Sequence, residues 1–260
     1  MTASLHIDTT GEGPPLVLLH GWAMHSGLWG SLVEDLARRY RVHAVDLPGH
    51  GASAAPAEFT LAGVVAALAA AFPRKGPPLT VVGWSLGGQV AMRWALAAPD
   101  QVDRIVLVAT SPRFVAGDDW PHAMSPATLD RFGDELRIAW KLTVQRFLAL
   151  QLHGSDTPRA MLAELKHRLL AREAPSPATL AAALAVLRDT DLRFVIPGIA
   201  QPALVVSGDR DTLAFPGAGR YLADHLPNAR FALIPGAAHV PFLSHAAAFE
   251  TALDDFLDAR

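Results

Sequence analysis

The chain has 260 residues, 51% of them hydrophobic and 18% charged, with a net charge of -3. That size and apolar content suit one large domain with a substantial core, and the charge gives no reason to expect a nucleic-acid partner. The lack of cysteine excludes disulfides, thiolate metal sites and cysteine nucleophiles together. No apolar run reaches the ~18 residues of a membrane span. The opening "MTASLHIDTTGEG" has neither the basic nor the apolar segment of an export signal, so the expected location is the cytoplasm.

In chain order, nearly continuous apolar runs at 15–20, 41–47, 79–84, 104–110, 203–208 and 230–236 predict strands of a parallel sheet covered on both faces. Apolar residues at helical spacing over 26–40, 60–72, 85–99 and 216–226 predict the covering helices. Strand and helix in alternation imply right-handed crossovers and an α/β fold. The alternation stops after Thr110: residues 113–199 carry three helical patterns, at 126–153, 157–172 and 176–190, before a strand returns. With no linker to separate them, 113–199 read as a helical cap inserted into one core made of 1–112 and 200–260.

Gly83-Trp84-Ser85-Leu86-Gly87 fits G-x-S-x-G between a buried strand and a helix, the nucleophile-elbow arrangement. Such a serine needs a strained turn, and glycines beside it let strand and helix approach. The turn lifts the hydroxyl above the sheet at a helix N-terminus, where negative charge is favoured. A hydroxyl is a weak nucleophile without a base, and the base needs an acid to orient it. "ALVVSGDRDTLAF" offers Asp209 and Asp211 past one strand; Asp211 is preferred, because the residue directly after Gly208 is the one a turn consumes. Among 11 histidines, His239 alone follows the last strand in a small-residue loop. His225 belongs to a helix, and His245 follows Ser244, which reads as the N-cap of the closing helix. An oxyanion hole needs two backbone N–H groups, expected at Leu86 and, past the tight turn at Gly21, at Trp22. His20 is expected to brace that loop through hydrogen bonds.

"LLHGW", "VDLPGHGAS", "GWSLGG", "GDRD" and "AAHVPF" occur in the order found in the α/β-hydrolase superfamily, which the chain resembles over essentially its whole length. The segments "VATSPRF", "VQRFLALQLHG" and "LRDTDLR" extend the resemblance to the pimeloyl-[acyl-carrier protein] methyl ester carboxylesterases of biotin synthesis. That resemblance implies a monomeric serine esterase with the triad Ser85, Asp211 and His239, needing no cofactor or metal, and acting on an acyl-carrier protein that bears a pimeloyl methyl ester. It also implies an acyl pocket lined by Trp22, Trp84, Ser111 and Phe147. Simple helix packing is the other reading of Phe147, which shares a face with Trp140, Val144 and Leu148. Haloalkane dehalogenases and epoxide hydrolases of this fold carry Asp at the elbow, which Ser85 argues against. A broad short-chain carboxylesterase, a lactonase or a carbon–carbon bond hydrolase shares the same triad, and a non-catalytic ligand receptor shares the scaffold.

From Arg137 to Arg172 there are seven basic residues against two acidic ones. A solvated helix face is one reading. The resemblance implies another, contact with the acidic carrier through Arg146 and Arg159, with Lys141 and Lys166 compensating for Leu142 and Ala163, where further arginines are expected.

Overall fold

The computed structural model describes residues 4–73, 76–156 and 158–259, without the side chains of 158–160. Its centre is a sheet of seven strands: β1 (Ile7–Thr10), β2 (Pro15–Leu19), β3 (Arg41–Val45), β4 (Leu79–Trp84), β5 (Val102–Val108), β6 (Ala203–Gly208) and β7 (Ala229–Ile234). The order across the sheet is β1-β3-β2-β4-β5-β6-β7, with β1 antiparallel to β3 and every other pair parallel. The strands β2 to β7 are the apolar runs of the sequence, with ends that agree to within two residues. Leu16 to Leu19 and Val81, Val82 and Ile105 to Val108 are fully enclosed, as strands covered on both faces require. β1 escaped the sequence reading because its "IDTT" is mostly solvent-exposed and has no apolar run.

Helices α1 (Ser31–Ala37), α2 (Leu61–Ala71), α3 (Leu86–Ala97), α7 (Pro216–His225), the short α8 (Pro241–Ser244) and α9 (Ala246–Leu257) surround the sheet. The long pattern at 26–40 splits into a 3-10 turn at Ser26–Trp29 and α1, because Gly30 takes φ 62° between them. The cap of α9 is His245, not Ser244; the Ser244 hydroxyl donates to Val240 O within α8 instead.

Between β5 and β6 lie α4 (Pro126–Leu150), α5 (Pro158–Leu170) and α6 (Pro177–Asp189). Ser125 and Ser176 cap α4 and α6, each with proline in the first turn, the pairing of cap and fixed φ that starts helices well. α4 bends at Ala139 (φ -145°, ψ 57°), where no proline or glycine announces it. The Thr143 hydroxyl donates to Ala139 O across the bend.

Because β3 and β4 lie on opposite sides of β2, consecutive connections leave the sheet in opposite directions there. A crevice opens at the carboxyl ends of β2 and β4, the point where α/β sheets bind ligands. The loops of this crevice rest on Asp46, which is fully buried past β3. It accepts from Ser26 N–H (2.7 Å) and Ala52 N–H (2.9 Å) and pairs with Arg172 at the end of α5, which also reaches Asp8. Burial alone would raise the Asp46 carboxyl, but the Ala52 and Ser26 N–H groups outweigh it and hold it below the usual carboxylate range. His20 donates through Nδ1 to Gly21 O (2.8 Å) and accepts Leu47 N–H at Nε2 (2.9 Å), the bracing expected of it. Burial and the neighbouring His50 push His20 down to about 3, and burial pushes His50 down to about 4.

Both imidazoles are therefore neutral in the fold, while in the unfolded chain they titrate near 6.5. As pH falls below 6.5 the unfolded chain takes up protons that the fold refuses, so stability is present above that value and declines down to about 4. The slope is at most about 1.4 kcal/mol per pH unit for each histidine. Asp46, with its lowered value, adds its own loss only below the ordinary carboxylate range. Urea midpoints should drop between about pH 7.5 and pH 5, and the drop should shrink in His50→Gln; equal midpoints at both pH values would contradict this account.

Candidate active site

Ser85 is the residue between β4 and α3, with φ 56° and ψ -116°. A side chain is strained at positive φ, and here the surroundings hold it there. Ser85 N–H donates to Val108 O (2.9 Å), and Ser85 O accepts from Gly88 N–H (2.9 Å) and from the Thr110 hydroxyl (2.6 Å). The glycines of the motif are dictated by contact. A Cβ at Gly83 would strike Gly87 O, one at Gly87 would strike Leu19 O, and one at Gly88 would strike Thr110. The nearly enclosed Ser85 side chain stands at the start of α3, facing Gly21 of the β2 loop, whose Cα would carry a Cβ only 3.2 Å from Ser85 Cβ.

The structure brings Asp211 and His239 together: His239 Nδ1 and Asp211 Oδ2 are 2.8 Å apart and both side chains are buried. The other Asp211 oxygen accepts from the N–H groups of Leu213 (2.8 Å) and Ala214 (3.0 Å). A carboxylate accepts only, so the proton of the pair sits on Nδ1 and leaves Nε2 free to accept from a hydroxyl. Asp209 is spent in the turn, taking Gly236 N–H at 2.7 Å. Trp84, the neighbour of Ser85, donates its indole N–H to His239 O (2.8 Å) and so ties the histidine loop to the serine turn.

Neither Trp22 N–H nor Leu86 N–H meets an acceptor among the described residues. Two free donors beside Ser85, one at a helix start, can hold an oxyanion. The Trp22 indole donates to Leu180 O (3.0 Å), and its ring meets Phe147 and Phe132 edge-on at 4.9 and 5.4 Å. These rings wall a cavity of about 190 Å³, completed by Leu129, Leu184, Leu187 and Leu213. Of the residues expected to line an acyl pocket, Trp22 and Phe147 line this cavity. Trp84 and Ser111 lie off this cavity: Trp84 packs against Trp29 and Phe242, and the Ser111 hydroxyl is held by Arg113 O (2.5 Å).

Two contacts reach the site from the inserted helices and were not foreseen. Gln151, fully buried at the end of α4, accepts His239 N–H on its main-chain carbonyl (3.0 Å). His25 accepts Gly27 N–H at Nδ1, and its Nε2 donates to Arg168 O (3.0 Å), seating α5 on the β2 loop. Both join residues far apart in sequence and end on a main-chain carbonyl, which leaves no side-chain signature at that end. The expected basic surface is thinner than a count along the chain implies. Arg146 pairs with Glu135 (3.3 Å), Arg137 with Asp134, Arg168 with Glu164 and Arg172 with Asp46. Lys141 lies over the Trp140 ring and Lys166 is exposed on α5, while the Arg159 side chain lies outside the described residues.

A strained serine, a buried acid–imidazole pair and two free N–H groups at the carboxyl edge of a parallel sheet are the equipment of acyl transfer by a serine hydrolase. Residues 14–246 match the family described as the alpha/beta hydrolase fold, and the chain belongs to that family. It is 46% identical over 252 residues to the pimeloyl-[acyl-carrier protein] methyl ester esterase of Nitrosomonas europaea, covering 97% of this chain and 99% of that one. With the enzyme of the same name from Chromobacterium violaceum it shares 44% identity over 257 residues, 99% of each chain. An esterase from Exiguobacterium antarcticum superposes with a TM-score of 0.91 over 99% of this chain and 96% of its own, at 20% identity, a likeness of fold.

If Ser85 and His239 act as one unit, Ser85→Ala and His239→Ala should each lower kcat on a p-nitrophenyl ester by several orders of magnitude, and the double variant little further. Asp211→Asn should cost about 10⁴-fold through the wrong imidazole tautomer, with Asp209→Asn mild by comparison. Additive losses, or a worse effect at Asp209, would reassign the roles.

Proposed function

We propose that this chain is a serine carboxylesterase that hydrolyses the methyl ester of a pimeloyl chain carried on acyl-carrier protein, a step of biotin synthesis. The observation that carries the reading is the 46% identity over 97% of the chain, since it runs through the inserted helices that shape the cavity as well as the hydrolase motifs. The cavity adds chemical support: rings, leucines and Met124 make up most of its wall and suit a methylene chain.

In this reading residues 113–199 are a cap over a core of 1–112 and 200–260, and the acyl chain lies between the two. Ser85 Oγ attacks the ester carbonyl as His239 Nε2 takes its proton, with Asp211 holding the imidazolium that forms. Trp22 and Leu86 N–H groups receive the charge on the carbonyl oxygen, which grows as the tetrahedral intermediate forms. His239 returns the proton to the departing methoxide, methanol leaves, and a water activated by the same imidazole releases the acid from Ser85. No step calls for a metal or cofactor. One chain holds every group used, so a monomer in the cytoplasm suffices. Trp84 serves by fixing the His239 loop, and Ser111 by anchoring the chain where it enters the cap.

The carrier is expected to meet the α4 and α5 face through Arg146, Arg159, Lys141 and Lys166. Arg146 must leave Glu135 to do so, an exchange between exposed partners of small energetic cost. Complementation of a biotin-requiring bacterium lacking its own such esterase tests the function. Growth without biotin that disappears with Ser85→Ala supports it; no growth from a protein that still cleaves p-nitrophenyl esters would leave a generic esterase. Charge reversal at Arg146 and Arg159 should raise KM several-fold more for the carrier-bound ester than for dimethyl pimelate, and this selectivity should fade at high salt. Equal effects on both substrates would remove the carrier contact from this face.

A further inference from the structure

Three polar side chains interrupt the apolar wall of the cavity: Thr128, Arg131 and Glu135, on α4. Their spacing of three and four residues places them along one face of the helix, beside Leu129 and Phe132, which line the same space. Two of the three are occupied. The Thr128 hydroxyl lies 2.8 Å from Ser125 Oγ at the helix cap, and Glu135 pairs with Arg146. Arg131 is exposed and has no ion pair, hydrogen bond or ring contact among the described residues.

A long side chain that is solvent-exposed and yet lines a cavity runs its methylenes along the wall and holds its charged end at the rim. A methylene chain has no use for a guanidinium there. The charge becomes useful only when the far end of the bound molecule is an anion; the one carboxylate on this cavity wall, Glu135, pairs with Arg146 and makes no bond to Arg131. Arginine's planar fork suits carboxylate and phosphate oxygens alike.

We propose that Arg131 forms a rim subsite for an oxyanion on the side of the bound molecule remote from the ester being cleaved. Two molecules carry an oxyanion on that side: a free dicarboxylic half-ester, whose remote end is a carboxylate, and a methyl-ester acyl chain held as a thioester on the arm of a carrier protein, where the arm beyond the thioester ends in a phosphodiester. The first would make the chain active on small soluble half-esters as well as on carrier-bound ones. The inference rests on the esterase reading above and adds the charge that the enzyme selects at the distant end.

The test uses the purified full chain and two matched pairs of substrates. Monomethyl pimelate against dimethyl pimelate compares a remote carboxylate with a neutral ester. The methyl pimeloyl thioester of 4'-phosphopantetheine against that of pantetheine compares a remote phosphate with a hydroxyl. The anionic member of at least one pair should show a KM lower by about fivefold at low salt, near the upper limit for an exposed ion pair, with kcat alike within the pair. The ratio should fall to near one in Arg131→Gln, keep part of its size in Arg131→Lys, and shrink in wild type at high salt. Selectivity confined to the first pair assigns the subsite to carboxylates, and selectivity confined to the second assigns it to the carrier arm. Hydrolysis of all four esters with no preference for an anion, or a preference that survives in Arg131→Gln, overturns the subsite while leaving the esterase standing. Hydrolysis of none of them overturns the esterase reading itself.

Discussion

The left-handed turn at Ser85 is the constraint on which the rest of the structure depends. A serine at φ 56° is held only where strand and helix pack close enough to leave it no alternative, and that closeness excludes a Cβ at Gly83, Gly87 and Gly88. The contact at Gly87 is with Leu19 O at the end of β2, so the turn also sets how near the β2 loop can come. Gly21 fills the remaining space against Ser85. The same close packing that strains the serine thus delivers the Trp22 loop to it.

That loop is then fixed from below and from above. Below, neutral His20 spans from Gly21 O to Leu47 N–H, and Asp46 gathers Ser26, Ala52 and Arg172. Above, Trp22 and His25 both end on main-chain carbonyls of the inserted helices, at Leu180 and Arg168. Asp46 is a buried charge whose partner comes from the insertion, and such a pair costs much more to break than it gains by forming. The insertion is therefore seated by hydrogen bonds and a charge, with the apolar contact of Trp22, Phe132 and Phe147 between them.

What the sequence made legible follows from the range of the interactions concerned. Six strands were readable because two covered faces demand unbroken apolar runs, and the Ser85, Asp211 and His239 positions because each lies in the short loop or turn just past one of those runs. The choice of Asp211 over Asp209 came from turn chemistry, and Asp209 does spend its carboxylate on Gly236 N–H. β1 was missed for lack of any buried face, the bend at Ala139 for lack of a proline or glycine, and the α9 cap because Ser244 finished the preceding short helix instead. The basic run of the insertion is a count along the chain, and how much of it is paired depends on residues outside it. Counting within 137–172 left out Glu135 and Asp134 just before the window and Asp8 and Asp46 far from it, which take up three of its arginines.

The bond from His239 N–H to Gln151 O has a consequence for how the site opens. Gln151 ends the half of α4 beyond the Ala139 bend, which also carries Phe147, so one stretch of helix supplies both part of the cavity wall and a hold on the histidine loop. An outward movement of that whole helix would strip His239 of this bond and leave a buried N–H unpaired, a cost of about 1–3 kcal/mol. Asp211 and Trp84 would still grip the loop from the core side. The His239 loop is thus held from two sides, by the inserted helix at Gln151 and by the core at Asp211 and Trp84.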